Sequence, residues 1–322
     1  METVYVGIDI SKASFDVALP QAAGFRHLTL SNAETGFAQL LAVSGELLKT
    51  GTCVYVMEAS GPYYLRLASF LHAKGVGVSV VNPLSVRRFC QMRLTRAKTD
   101  KKDAVLIACY GQSEHPALWQ PEPAFIDELR QLQMVAHGLE KTRQQHRRQL
   151  EALEQASCQS QQAVSSLKQV VEGVAKELVL LEARMQQLAA THCASQQRLL
   201  ESVPGLGKKS SLLLLTLTSG FTRFASAKQV IAYLGLSPRI YESGTSVKGK
   251  GRICKMGMAR ARAMLFMCSW SAIRCNKACR ELYLRLRQKG KAHRLALIAV
   301  VNKLIRQAFA VVTKGQMYTE CV

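Results

Sequence analysis

METVYVGIDIS, residues 1–11, is the stretch from which the fold is read. Val4, Val6 and Ile8 alternate with their neighbours in the two-residue period of a strand, and that strand ends near Asp9. Outward from it, FDVAL at 15–19 and HLTL at 27–30 read as second and third strands. A helix fits residues 35–48, CVYVME at 53–58 is a further strand, a helix fits about 62–74, and GVSVVN at 77–82 is the next strand. Three strands followed by alternating helix and strand predict a mixed α/β sheet. The basic segment SVRRFCQMRLTRAKTDKKD follows at 85–103, and the run from Thr99 to about Tyr110 has a helical pattern with Thr99 as its N-cap.

Two further zones separate on pattern. Pro123 and Pro204 enclose 80 residues without a proline. Within them Val164, Leu167, Val171, Val174, Leu178, Leu181, Met185 and Leu188 alternate spacings of three and four, an a/d seam. Ile126, Leu129, Leu132 and Val135 lie upstream, before the polar run TRQQHRRQ. A coiled-coil hairpin, a dimerising pair of helices or an internal bundle accounts for this. The chain of 322 residues suits two or three domains, and the expected division is 1–115, 116–192 and 193–322.

Composition bounds the function. Residues 1–194 carry 20 Lys/Arg against 18 Asp/Glu, whereas 195–322 carry 23 against 4, a net of +19. So one-sided a surplus repels itself without a polyanion partner, of which nucleic acid is the usual one. No run approaches 18 apolar residues and the N-terminus lacks the basic-then-apolar layout of a signal peptide, so no membrane association is expected. The ten cysteines are scattered without a CxxC pair or zinc-finger histidines, as in reduced thiols of a cytoplasmic protein. Cys275 and Cys279 share a helix face, a weak basis for a metal.

The chain has only five aspartates. Asp9 and Glu58 each end a strand, where a sheet would turn both into one cleft, and aspartate is disfavoured inside strands. Asp100 and Asp103 are spaced i, i+3 at a helix start and share its face. Four carboxylates so arranged form a hard-oxygen set for Mg²⁺, with Mn²⁺ as a substitute, suited to phosphodiester displacement. Dipole stabilisation for the helical pair, and turn or surface roles for the other two, are the ordinary alternatives.

A second informative stretch is YESGTSVKGKGRICKMG, 241–257. Its glycines let backbone approach a phosphate, and Lys248, Lys250, Arg252 and Lys255 surround the hydroxyls of Ser243, Thr245 and Ser246. Turn formation alone also explains such serines. SVPGLGKKSS at 202–211 reads as a helix-hairpin-helix, with Gly205 and Gly207 in the turn and Lys208 and Lys209 towards a phosphate.

VGIDISK, MEASGPY and KTDKKDA match the Asp, Glu, Asp, Asp signature of the DEDD insertion-sequence transposases, which the chain resembles along nearly its whole length. That family comprises bridge-RNA-guided recombinases and Piv-type DNA invertases; VNP at 81–83 also fits its pattern. The resemblance implies an α/β plus α architecture: a RuvC-like domain of RNase H fold, a helical coiled-coil spacer and a mostly helical basic domain. It implies Mg²⁺ on Asp9, Glu58, Asp100 and Asp103, and Ser243 as the nucleophile that forms a phosphoserine link to DNA. It assigns Arg262 to a phosphate contact. It further implies double-stranded DNA at element ends and target, a bridge-type noncoding RNA, and dimers that pair into a tetramer. A Piv-like invertase, a junction nuclease that uses water, and a non-catalytic nucleic-acid-binding protein are the competing readings.

Overall fold

A computed structural model describes residues 3–45, 52–93, 100–239, 242–243, 247–248 and 252–320; for 100–101, 242–243 and 247–248 it describes the backbone. The chain forms two compact units, Met1–Pro121 and Glu122–Val322.

The first unit is built on a five-stranded sheet. β1 (Val4–Ile10), β2 (Ser14–Gln21) and β3 (Gly24–Ser31) form an antiparallel meander, and Gly24 closes its second turn at φ +90. β4 (Cys53–Glu58) and β5 (Gly77–Val81) run parallel to β1, giving the order β3-β2-β1-β4-β5. The crossovers carry α1 (Glu34–Val43) and α2 (Tyr64–Ala73), and α3 (Pro83–Met92) and α4 (Asp100–Glu114) follow. Alternation decides which side chain faces which layer. Val6, Ile8, Phe15, Val17, Tyr55 and Met57 pack with Phe37 and Leu40 of α1 and Leu67 and Leu71 of α2. On the opposite face Val54, Val56 and Val81 pack with Val86 of α3 and Ile107 of α4. Asn82 of the VNP run caps α3, its side chain accepting from Leu84 N–H at 2.9 Å, with Pro83 in the first turn where its missing N–H costs nothing. The expected N-cap at Thr99 lies outside the described residues.

The second unit is mostly helical. α5 (Ala124–Glu154) and α6 (Gln161–His192) pack as a long antiparallel pair, and Ser160 caps α6 by accepting from Ala163 N–H at 3.4 Å. Then come α7 (Ala194–Glu201), α8 (Lys208–Thr218), α9 (Ala227–Tyr233), four two-residue strands, α10 (Ala259–Cys275), α11 (Lys277–Gln288) and α12 (His293–Lys314). Val164, Leu178, Met185 and Leu188 of the α6 seam are buried. On α5 the inward stripe differs from the expected one: Ile126, Leu129, Gln133 and Ala136 are buried, whereas Val135 is 47% exposed. A step of three residues falls about 60° behind the helical turn each time, so the series begun at Ile126 has rotated outward by Val135. Gln133 meets its burial cost by donating from its side chain to Thr216 Oγ1 at 3.1 Å, and its backbone carbonyl accepts from Arg260 at 2.7 Å.

The base of the α5–α6 pair shares one core with α8, α10 and α12. Every residue of α8 from Ser210 to Thr218 is buried, as an all-round central helix must be. Among the described residues α12 alone is long and apolar enough to cross a membrane; eight of its side chains, from Ala296 to Val311, are buried within this unit.

One polar junction organises the C-terminal helices. Asn276, fully buried, caps α11 by accepting from Cys279 N–H at 3.1 Å and donates to the Pro204 carbonyl at 3.2 Å and to Gln307 at 3.0 Å. Asn276→Ala removes the cap, takes the donor from the Pro204 carbonyl and leaves Gln307 Oε1 only the weak Cys279 thiol. It is expected to cost about 2 kcal/mol of unfolding free energy, read as an earlier urea midpoint of the full chain.

Candidate active site

The register between the parallel strands β1 and β4 runs to Ile8–Met57, and Asp9 and Glu58 are the next residue on each. Adjacent strands lie about 4.8 Å apart, so the two positions are neighbours at the carboxyl ends of their strands. Both side chains are half-buried. α4 lies against the same face of β1. A Cβ on Gly7 would fall 2.0 Å from Ala104 O and 2.4 Å from Ala108 N, and one on Gly111 would fall 2.8 Å from Val56 and 2.9 Å from Tyr5. From Gly7 to Asp9 the strand advances about 6.6 Å, which the helix covers in about four residues, so its first turn comes alongside Asp9. Asp100 and Asp103 occupy that turn. Asp103, half-buried, is one turn before Ile107, which packs on Val56 and Val81, so it stands on the β4 flank of the helix.

The loops that follow these strands are tied together. Asn32 Nδ2 donates to Ser11 O at 3.0 Å and to Tyr63 O at 3.3 Å, joining the segment after Asp9 to the segment after Glu58. The sequence reading did not single out Asp16, which pairs directly with Asp9 across β1 and β2 and accepts from Thr29 Oγ1 at 2.6 Å. Asp16, Asp9 and Glu58 thus form a row across three adjacent strands. Among the described residues no three His, Cys, Asp or Glu side chains converge as a finished metal-ligand set; the side chain of Asp100 falls outside that description.

The serine stretch belongs to the second unit. β6 (Pro238–Arg239) pairs with β9 (Arg252–Ile253), and β7 (Glu242–Ser243) with β8 (Val247–Lys248). Ser243 pairs with Val247, and Lys248 stands opposite Glu242. Thr245, Ser246 and Lys250 lie outside the described residues. The root is fixed by backbone bonds from Cys254 N–H to Ser237 O at 2.8 Å and from Lys255 N–H to Gly235 O at 3.0 Å. Lys255 takes φ +60, and a Cβ on Gly257 would fall 2.5 Å from Tyr233 O, which explains the glycine of Lys-x-Gly. Arg262 Nη1 donates to Leu234 O at 3.2 Å, a strut at this root. Arg239, absent from the sequence-derived set, is the cross-strand partner of Arg252, and both are exposed. Two guanidinium groups facing each other repel unless an anion lies between them.

The Gly-rich turn at 202–207 joins α7 to α8. Gly205 adopts φ +105, and a Cβ there would fall 2.7 Å from Ala272 Cβ. Gly207 N–H donates to Ser210 Oγ at 2.9 Å and Lys209 pairs with Glu182, while Lys208 is exposed. Burial pushes the Cys279 thiol up to about 12, which keeps it protonated and a poor metal ligand beside Cys275.

Comparison with known proteins decides the lineage. A DEDD transposase family model matches residues 6–158, and that of the transposase IS116/IS110/IS902 family matches 197–284. The pilin gene-inverting protein of Moraxella lacunata is 30% identical over 330 residues, covering 99% of this chain and 98% of the relative. The chain belongs to the IS110-type transposase family. The pilin gene-inverting protein of Moraxella bovis is likewise 30% identical, over 331 residues, with 99% and 98% covered. An insertion element IS110 protein of Streptomyces coelicolor is 30% identical over 155 residues, 48% of this chain and 38% of its own length. As an IS110-type protein the chain is a DNA-binding transposase or site-specific recombinase, an enzyme of DNA strand exchange. Its acidic row and its serine hairpin lie inside the two separately matched regions.

Proposed function

We propose that this IS110-type enzyme cuts and rejoins DNA through Ser243, assisted by Mg²⁺ on Asp9, Glu58, Asp100 and Asp103. The observation that carries the reading is the strand register that makes Asp9 and Glu58 neighbours, with the first turn of α4 alongside. Carboxylates at such spacing repel one another, and a divalent cation with hard-oxygen preference relieves the repulsion. The sheet order β3-β2-β1-β4-β5, antiparallel then parallel, supports a RuvC-like domain of RNase H fold. When bound, Mg²⁺ supplies charge stabilisation and orientation at the scissile phosphate. Ser243 Oγ attacks phosphorus, and a carboxylate takes its proton. The P–O bond to the sugar breaks, the departing oxygen receives a proton, and the strand stays esterified to the serine. A sugar hydroxyl of the new partner reverses these steps, so rejoining needs no external energy. Arg239, Arg252 and Lys255 surround the hairpin root with the positive charge a phosphate needs.

The net +19 of residues 195–322 supports contacts to nucleic-acid backbones, through Lys208, Lys209, Lys248 and Lys250 among others, and leaves sequence choice to a pairing guide RNA. The exposed Val179 and Leu180 of α6 support dimers that pair into a tetramer. A second reading, site-specific inversion without a guide, is favoured by the nearly full-length match to the pilin gene-inverting proteins.

End-labelled DNA resolved on denaturing gels tests the chemistry. A covalent protein–DNA adduct is expected with Mg²⁺. Chelation is expected to lower adduct and strand exchange at least about a hundredfold, with Mn²⁺ restoring them. Cleavage to free ends without an adduct, or full activity in chelator, overturns the proposal.

A further inference from the structure

The C-terminal helices carry a feature that strand cleavage leaves unused. Trp270 on α10 is 38% exposed, and its ring is set against His293 at 4.9 Å between centroids and 63° between planes. His293 is itself held by Tyr283, whose hydroxyl lies 2.7 Å from Nδ1 and whose ring stands at 90° to the imidazole. The indole is therefore fixed by three helices, α10, α11 and α12. Met267, 66% exposed, precedes Trp270 by one turn, and the exposed Arg274 follows it by one turn, so thioether, indole and guanidinium form one ridge.

Strong positive charge is concentrated in the segment that runs on from that ridge. Between Arg274 and Arg294 the chain has eight Lys/Arg and one acid, Glu281. All eight are exposed, and none takes part in the ion pairs found among the described residues. Duplex DNA satisfies the charges alone, because its bases are already stacked. A lipid surface wants a broad apolar face, whereas the exposed apolar side chains here are few: Met267, Trp270, Leu284 and Leu295. Phosphates to meet the lysines and arginines, with an unstacked base to cover the indole, are the chemistry of a single-stranded polynucleotide.

We propose that Trp270, braced by His293 and Tyr283, is a stacking platform for an unpaired nucleotide, with the α11–α12 cations tracking the flanking backbone. The assignment rests on the nucleic-acid reading of the family but needs neither Ser243 nor the carboxylates, because it is read by binding without cleavage. RNA and DNA share this chemistry, and the arms of the test separate them.

The full chain is titrated against labelled 20-mers of oligo(U), oligo(dT) and duplex DNA, in the presence of a chelator. Trp270→Ala is expected to weaken a single strand about tenfold, within the roughly 5- to 150-fold range of one lost stack. Trp270→Phe is expected to recover most of the loss, and duplex affinity should stay within about twofold. The slope of log affinity against log salt should not change, because no phosphate contact is removed. A loss confined to oligo(U) or to oligo(dT) supports the platform and identifies its strand. Equal weakening of duplex and single strands, unchanged single-strand binding, binding transferred to anionic vesicles, or a changed oligomeric state overturns it. Thermal melting of both variants separates these results from misfolding, and loss of cleavage by Ser243→Ala with single-strand binding intact separates this site from the catalytic one.

Discussion

Ser243→Ala is expected to reduce strand exchange by about a thousandfold or more, while affinity for DNA stays within about twofold. The serine occupies a strand position paired with Val247, and the root below it is fixed by two backbone bonds and by Arg262. Removing one hydroxyl from such a site leaves the positive charges of Arg239 and Arg252 in place. What disappears is the only atom proposed to hold the broken strand. The covalent adduct should vanish from denaturing gels, and Ser246→Ala should retain it. Full cleavage by the Ser243 variant would assign attack to water and return the chain to the junction-nuclease reading.

Gly7→Val is expected to destabilise the chain by about 3 kcal/mol, measured by urea unfolding, and to abolish strand exchange with it. The new Cβ would stand 2.0 Å from a carbonyl oxygen and 2.4 Å from a backbone nitrogen of α4. Backbone cannot swing aside as a side-chain tip can, so the whole helix must lift from β1. Asp100 and Asp103 ride on its first turn and would leave the neighbourhood of Asp9. A variant with native unfolding behaviour and native activity would show that α4 does not sit on β1 as described.

The strand at Val4–Ile10 was legible because alternation is a local property, and the helix that carries Asp100 and Asp103 was legible for the same reason. Register was not. Asp16 faces Asp9, and Arg239 faces Arg252, through pairings that depend on turns and on strand order; no spacing in the sequence encodes them. Gly7 reads as an ordinary strand residue until α4 is seen to press on it. The α5 stripe was misplaced because Val135 looks apolar and Gln133 looks polar. Thr216, more than eighty residues away, supplies the partner that lets the glutamine go inside. Non-local partners thus decide the features that local pattern missed.

The two long helices of the second unit, 31 and 32 residues, are anchored at one end in the core around Gln133 and Thr216. From Gln133 to the tip of the first helix is about 32 Å at 1.5 Å per residue. A swivel of roughly 10° at the anchored end therefore sweeps the tip through about 5 Å, more than a strand spacing. Arg260, which donates to the Gln133 backbone carbonyl, stands at that anchored end, at the start of the helix that follows the serine hairpin.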